Sequence, residues 1–182
     1  MNKKYQQTPS QTVGPYFAYG LTPEQYLYDF KSIADNYLYK DASEAEERIL
    51  IKGRLFDGNG AIIPDAMIEL RQDDTLDGFG RWGTGTERGN TFTFNTIKPK
   101  SKDGQAPHIN VVVMMRGLLS HVYTRIYFSD EVAANADDPV LNLIDEDRRH
   151  TLIARRNEMG GQIVYQFDIH MQGEHETVFF DA

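Results

Sequence analysis

The stretch Ala106 to Phe128, APHINVVVMMRGLLSHVYTRIYF, decides how the rest of the chain is read. Two apolar runs, Ile109 to Met115 and Val122 to Phe128, are rich in Val, Ile, Tyr and Phe, residue types that suit a pleated, half-buried surface. Between them Arg116-Gly117-Leu118-Leu119-Ser120 supplies a bend, so the pattern predicts consecutive strands of a buried antiparallel pair. Successive strand side chains point to opposite faces, which puts His108 and Asn110 on the same side. A His-x-His at this point would clamp a metal. His-x-Asn is a poor clamp, because an amide oxygen is a weak neutral donor and ferric or zinc sites favour imidazole, thiolate or anionic oxygen.

Upstream of that pair, Thr91 to Ile97 reads as a strand and Ala66 to Leu70 alternates as another. Arg48, Ile49, Ile51 and Arg54-Leu55-Phe56 mark the first core strand, closed by the turn signal Asp57-Gly58-Asn59-Gly60. Residues 73–90, glycine-rich and polar around Trp82, read as one long connection. Downstream, residues 129–142 read as an acidic connection, Thr151 to Ala154 as a short strand, and Ile163 to Ile169 as a strand after the Gly160-Gly161 turn. About seven or eight strands punctuated by turns predict an all-β fold, a two-sheet antiparallel β-sandwich with long loops. A short N-terminal helical segment is expected at Thr22-Pro23-Glu24, with Thr as cap and Pro at the first helical position. Residues 1–20 read as irregular, yet Tyr16, Phe17 and Tyr19 imply that they lie against something. The expected division is an arm with a short helical segment over residues 1–47 and a β-sandwich domain over residues 48–182.

Composition narrows the function. The 182 residues suit one domain with a core of its own. There is no cysteine, so disulfides and thiolate metal sites are excluded. A net charge of −8 argues against binding to phosphate backbones or anionic membrane, and no apolar run approaches the roughly 18 residues of a span. The opening MNKKYQQTPSQT lacks the apolar core of a signal peptide, and a soluble cytoplasmic protein is expected. No serine sits in a nucleophile elbow, and no glycine fingerprint follows a strand into a helix.

Several motifs in one order carry a resemblance. Asn95-Thr96-Ile97-Lys98-Pro99, Ala106-Pro107-His108-Ile109-Asn110, Tyr123-Thr124-Arg125-Ile126-Tyr127-Phe128, the segment Thr8 to Tyr16 and the C-terminal Gly173 to Asp181 together resemble the intradiol ring-cleavage dioxygenases. The resemblance implies a ferric ion held by two Tyr phenolates and a His-x-His pair, acting on a catechol and dioxygen. This chain has no Tyr between Lys40 and Val122, and Asn110 stands where the second His belongs, so His108 and Asn110 are degenerate ligand positions. The resemblance therefore implies an alpha chain, with no complete catalytic set and no metal of its own, paired with a homologous beta chain that carries Fe(III). In that role Thr12, Gly14, Pro15, Tyr16 and Arg116 match residues lining the cavity for a small aromatic substrate, 3,4-dihydroxybenzoate. Gly14 lets backbone approach a ligand, Pro15 sets direction, Tyr16 offers a hydroxyl, and Arg116 suits a carboxylate. Two alternatives remain open: an autonomous dioxygenase with atypical ligands, and a non-enzymatic binding module on the same sandwich.

Overall fold

The structure is a computed structural model, and it describes residues 16–41, 43, 45–72 and 78–181, with the backbone alone for residues 16–18. The expected pair of strands is present as β6 (His108–Met114) and β7 (Val122–Phe128). They pair antiparallel, with His108 opposite Tyr127 and Asn110 opposite Arg125. Around them lie β1 (Arg48–Gly53), β2 (Leu55–Phe56), β3 (Met67–Arg71), β4 (Phe79–Gly83), β5 (Phe92–Ile97), β8 (Ile153–Met159), β9 (Gln162–Gln166) and β10 (Ile169–His170). The helices are short: α1 (Tyr16–Leu21), a 3-10 turn at Glu24–Tyr26, α2 (Val132–Asp137) and α3 (Glu146–Arg149).

Three expectations change. The eight longer strands form one mixed sheet, in the order β4-β3-β6-β7-β8-β9-β1-β5, rather than two separate antiparallel sheets. The junction is a two-residue parallel contact, Tyr127 opposite Ile153 and Phe128 opposite Ala154. A second parallel pairing joins β1 to β9. The glycine-rich connection contains β4, whose residues Gly80 and Gly83 blur the strand pattern in sequence. Residues 16–21, read as irregular, form α1, and the 3-10 turn starts at Glu24 with Pro23, not Thr22, at its cap position.

Alternation builds the core. Ile49 and Ile51 of β1, Ile68 and Leu70 of β3, Phe92 and Phe94 of β5, Ile109, Val111 and Val113 of β6, and Ile126 and Phe128 of β7 all turn inward and are buried. Gly53 ends β1 where a Cβ would fall 1.7 Å from the Phe167 carbonyl oxygen, so only glycine permits this close approach.

The two ends of the sheet, β4 and β5, are brought almost into barrel closure by the segment Asp35 to Leu38. Arg81 N–H donates to Asp35 O (2.9 Å), Asn95 N–H to Asn36 O (2.8 Å), and Leu38 N–H to Asn95 O (2.9 Å). Both edges thereby gain partners for backbone groups that would otherwise be open to another chain. Leu38 fills the seam and is 1% exposed, and Gly80 makes room for it, since a Cβ there would lie 2.3 Å from Leu38 Cδ1. Leu38→Ala should cost about 2–5 kcal/mol of unfolding free energy, the range for a buried Leu that leaves a cavity. Urea denaturation followed by circular dichroism measures it, and a loss below about 1 kcal/mol would show that the seam contributes little.

Candidate functional site

The register separates two ends of the sheet. At one end Met67 of β3 faces both Gly83 of β4 and Met114 of β6. At the other, Arg71 of β3 faces Phe79 and Asn110, and Asn110 faces Arg125. From His108 to Met114 the strand runs roughly 20 Å, so the residues singled out in the sequence fall into two separate groups.

The first group gathers beyond Met114. Arg116 lies in the bend after β6, 58% exposed, with Nε 2.5 Å from Asp65 Oδ2. Neither Asp65 oxygen makes a hydrogen bond among the described residues, although both are buried. The N-terminal arm docks at this same end. The buried Gln25 side chain donates to Gly83 O (2.9 Å) and accepts from Gly83 N–H (2.8 Å), a two-point clamp on the last residue of β4. Its amide also reaches the Thr86 hydroxyl (2.7 Å). Tyr26 stacks edge-on with Tyr19 at 4.9 Å, and burial, then Tyr19 and Asp65, raise its pKa above the ordinary phenol value. The arm and Arg116 are thus neighbours through Tyr26 and Asp65. Tyr16 begins α1, and Thr12, Gly14 and Pro15 lie outside the described residues.

The second group surrounds His108 and Asn110, which project from the outer face of the sheet into an open cavity of about 520 Å³. His108 Nδ1 is 2.8 Å from Ala106 O, and burial lowers the imidazole pKa below its ordinary value, so the ring is neutral near pH 7. The strand start is held by the buried Asp138, which accepts from the N–H groups of Ala106 (2.8 Å), Val140 (2.9 Å) and Leu141 (2.8 Å) and from the Tyr127 hydroxyl (3.2 Å). Burial pushes Tyr127 up to about 12, against the lowering influence of Arg125. This phenol is spent on Asp138 and Arg125, not offered to a metal.

This donor set does not suit a ferric ion. Its donors are one imidazole and one neutral amide, the amide standing between the cations Arg71 and Arg125, and no group of three or more His, Cys, Asp or Glu side chains with metal-holding geometry occurs among the described residues. Sequence reasoning missed Arg71, Arg125, Gln105, Lys100 and Lys102, all of which line this cavity. Arg71 and Arg125 share parity with Asn110 across three strands, a signal that appears only once the register is known.

The wall of the cavity is anchored by Lys98, whose Nζ lies 2.7 Å from Asp130 and 2.6 Å from Glu131. Burial alone would lower the Lys98 pKa, but these two carboxylates outweigh it and the net shift is upward. For Asp130 burial raises the pKa, and hydrogen bonds from Lys98 and the Tyr165 hydroxyl overcome that and lower it.

Solved structures share this fold. The dioxygenase domain of a carbohydrate-binding fusion protein from Streptomyces sp. SirexAA-E superposes with a TM-score of 0.59 at 20% identity, covering 92% of this chain and 99% of that one. An intradiol ring-cleavage dioxygenase from Tetranychus urticae gives 0.58 at 15% identity, covering 95% and 98%. The fold is therefore that of the intradiol ring-cleavage dioxygenases. No family model matches the chain. Curated relatives are nearer: the protocatechuate 3,4-dioxygenase alpha chain of Burkholderia cepacia is 50% identical over 193 residues, covering 97% of this chain and 98% of the relative. That of Pseudomonas putida is 40% identical over 197 residues, covering 96% of each. This chain belongs to the protocatechuate 3,4-dioxygenase alpha-chain family.

A carboxylate with a depressed pKa stabilises the fold above its unfolded-state value and loses that contribution as pH falls through the folded value. Asp130→Asn should therefore lower stability at pH 7, and the gap between variant and parent should shrink as acid protonates Asp130 in the parent. Denaturation at a series of pH values tests this; a gap independent of pH would remove Asp130 as its origin.

Proposed function

We propose that this chain is the partner subunit of an alpha–beta intradiol dioxygenase acting on 3,4-dihydroxybenzoate, with Fe(III) held by a homologous beta chain. The observation that carries the reading is the division of the two ends of the sheet. At one end Arg71 and Arg125 flank Asn110, while the end bearing the N-terminal arm has Arg116, 58% exposed with its Nε beside Asp65. Thr12, Gly14 and Pro15 come before α1 in the sequence and Tyr16 begins it, and in this reading they line the substrate cavity together with Arg116. The substrate enters as a carboxylate, and a guanidinium offers it two parallel donors. Ring opening by dioxygen at the partner's iron gives 3-carboxy-cis,cis-muconate. This chain contributes binding and orientation.

A partner also accounts for the surface of the arm. Leu27 (94% exposed), Ile33 (89%) and the half-exposed Tyr28, Phe30 and Tyr37 lie within eleven consecutive residues of the arm and form an apolar strip. Leu27 has φ of 63°, a left-handed backbone that costs a non-glycine residue roughly 1–2 kcal/mol. It is the C-cap of the 3-10 turn, with the Leu27 N–H donating to Glu24 O, and among the described residues its side chain has no buried contact; an obligate interface, which resembles a domain core cut in half, would cover it. The sequence pointed to Tyr16, Phe17 and Tyr19 as interface aromatics. Tyr19 is partly covered by Tyr26 and Tyr28.

Two measurements test the reading. Expressed alone, the chain should bind no stoichiometric iron and cleave no catechol; one tightly bound iron per chain with turnover would sink it. In the assembled enzyme Arg116→Ala should lower kcat/KM for 3,4-dihydroxybenzoate by about 10- to 150-fold, the equivalent of a charged hydrogen bond of roughly 1.5–3 kcal/mol, with iron content unchanged. Catechol, which lacks the carboxylate, should be much less affected. Equal loss for both substrates would make Arg116 a residue of the bend and not of the cavity.

A further inference from the structure

Arg116 and Asp65 meet because the register of the sheet brings them together. Met67 of β3 faces Met114 of β6 in an antiparallel pair, and two residues further along, in opposite chain directions, come Asp65 and Arg116. Continued past the strands, that register sets the two across from each other, where opposite charges attract. Both are mounted on fixed backbone. The buried Thr84 hydroxyl donates to Ile63 O (2.9 Å) and accepts from Ala66 N–H (3.1 Å), and Thr84 N–H donates to Ala66 O (2.9 Å), which holds the backbone on both sides of Asp65. Arg116 is the first central residue of a turn in which Leu118 N–H donates to Met115 O (3.4 Å) and Gly117 supplies a φ of 90°.

The two members of the pair are unequal. Asp65 is the buried one, its side chain 13% exposed against 58% for Arg116. A buried carboxylate needs compensation, and Nε of Arg116 lies 2.5 Å from Oδ2. A guanidinium has two usable edges, and contact at Nε leaves the outer edge, with both Nη groups, for another acceptor. No hydrogen bond to Asp65 is formed among the described residues, so charge locates the guanidinium while its donors remain to be offered. An exposed arginine that was free would lose rotamer freedom on meeting a ligand; one already anchored loses less. The charge of Asp65 also acts in the opposite sense, because it repels a ligand carboxylate on the far edge. Anchoring raises affinity and repulsion lowers it, so the sign of the effect of a substitution at Asp65 decides between them.

We propose that Asp65 is a positioning residue for the substrate carboxylate, anchoring Arg116 at Nε so that the outer edge of its guanidinium is turned to the cavity. The proposal rests on the reading of Arg116 as a cavity residue and adds to it a requirement for the residue across the sheet. Asp65 does not touch the substrate; it acts through Arg116.

Steady-state kinetics of the assembled alpha–beta enzyme test this, with iron content measured for every variant and the ratio of kcat/KM for 3,4-dihydroxybenzoate to that for catechol as the readout. Asp65→Asn, which keeps the shape and removes the charge, should lower the ratio about fivefold or more through a higher KM for 3,4-dihydroxybenzoate. In an Arg116→Ala background the same substitution should change the ratio by less than about twofold, because the residue through which it acts is gone. A ratio unchanged or raised by Asp65→Asn overturns the proposal, as does an undiminished effect in the Arg116→Ala background. If Arg116→Ala lowers the ratio and Asp65→Asn does not, the cavity role of Arg116 stands and only the positioning role falls; if Arg116→Ala leaves the ratio unchanged, both fall. Should Asp65→Asn fail to assemble, Arg116→Lys decides. It keeps the charge at an exposed position, but a compact ammonium has no second edge, so the ratio should again fall about fivefold or more, and a retained ratio overturns the proposal.

Discussion

The pairing of β6 with β7 is the constraint on which the rest of the molecule depends. Its register sends Ile109, Val111, Val113 and Ile126 into the core and His108, Asn110, Arg125 and Tyr127 to the outer face. Side chains alternate with a period of two, so a slip by one residue would bury Asn110 and Arg125 and expose the valines. The core thus holds the outer row in place. Asp138 reinforces this by holding Ala106 just ahead of β6 through a buried carboxylate whose bonds go mostly to backbone N–H groups. A buried charge satisfied in this way stabilises one geometry, because no other placement offers it the same donors.

The sheet distributes function between its two ends. Gln25 clamps the arm to Gly83 at one end, bringing Tyr19, Tyr26, Asp65 and Arg116 into one neighbourhood. Segment 35–38 then continues from the arm across the open seam and pairs with β4 and β5. A single stretch of chain, residues 19–38, therefore docks the N-terminus and closes the barrel.

The charges around His108 and Asn110 do not suit a ferric ion. A ferric site needs anionic ligands to offset its charge. Here the nearest side chains across the sheet from Asn110 are arginines, and the nearby phenol of Tyr127, raised to about 12, remains protonated at neutral pH. A His at position 110 alone would leave those positive neighbours in place.

Much of this was legible in the sequence. The β6 and β7 runs, the Asp57 to Gly60 turn and the parity of His108 with Asn110 follow from residue type and a period of two, which are local properties. The absence of Tyr over residues 41–121 could be read directly, because it needs no structure. The tertiary structure decided what depends on register between distant segments. It placed Arg71 beside Asn110, joined the two halves of the sheet through two residues of β7 and β8, and found in a glycine-rich loop the strand β4 that Leu38 and Gln25 pack against. Those contacts link residues dozens of positions apart, and which strand lies beside which is settled by the burial of a shared core, which no local pattern encodes.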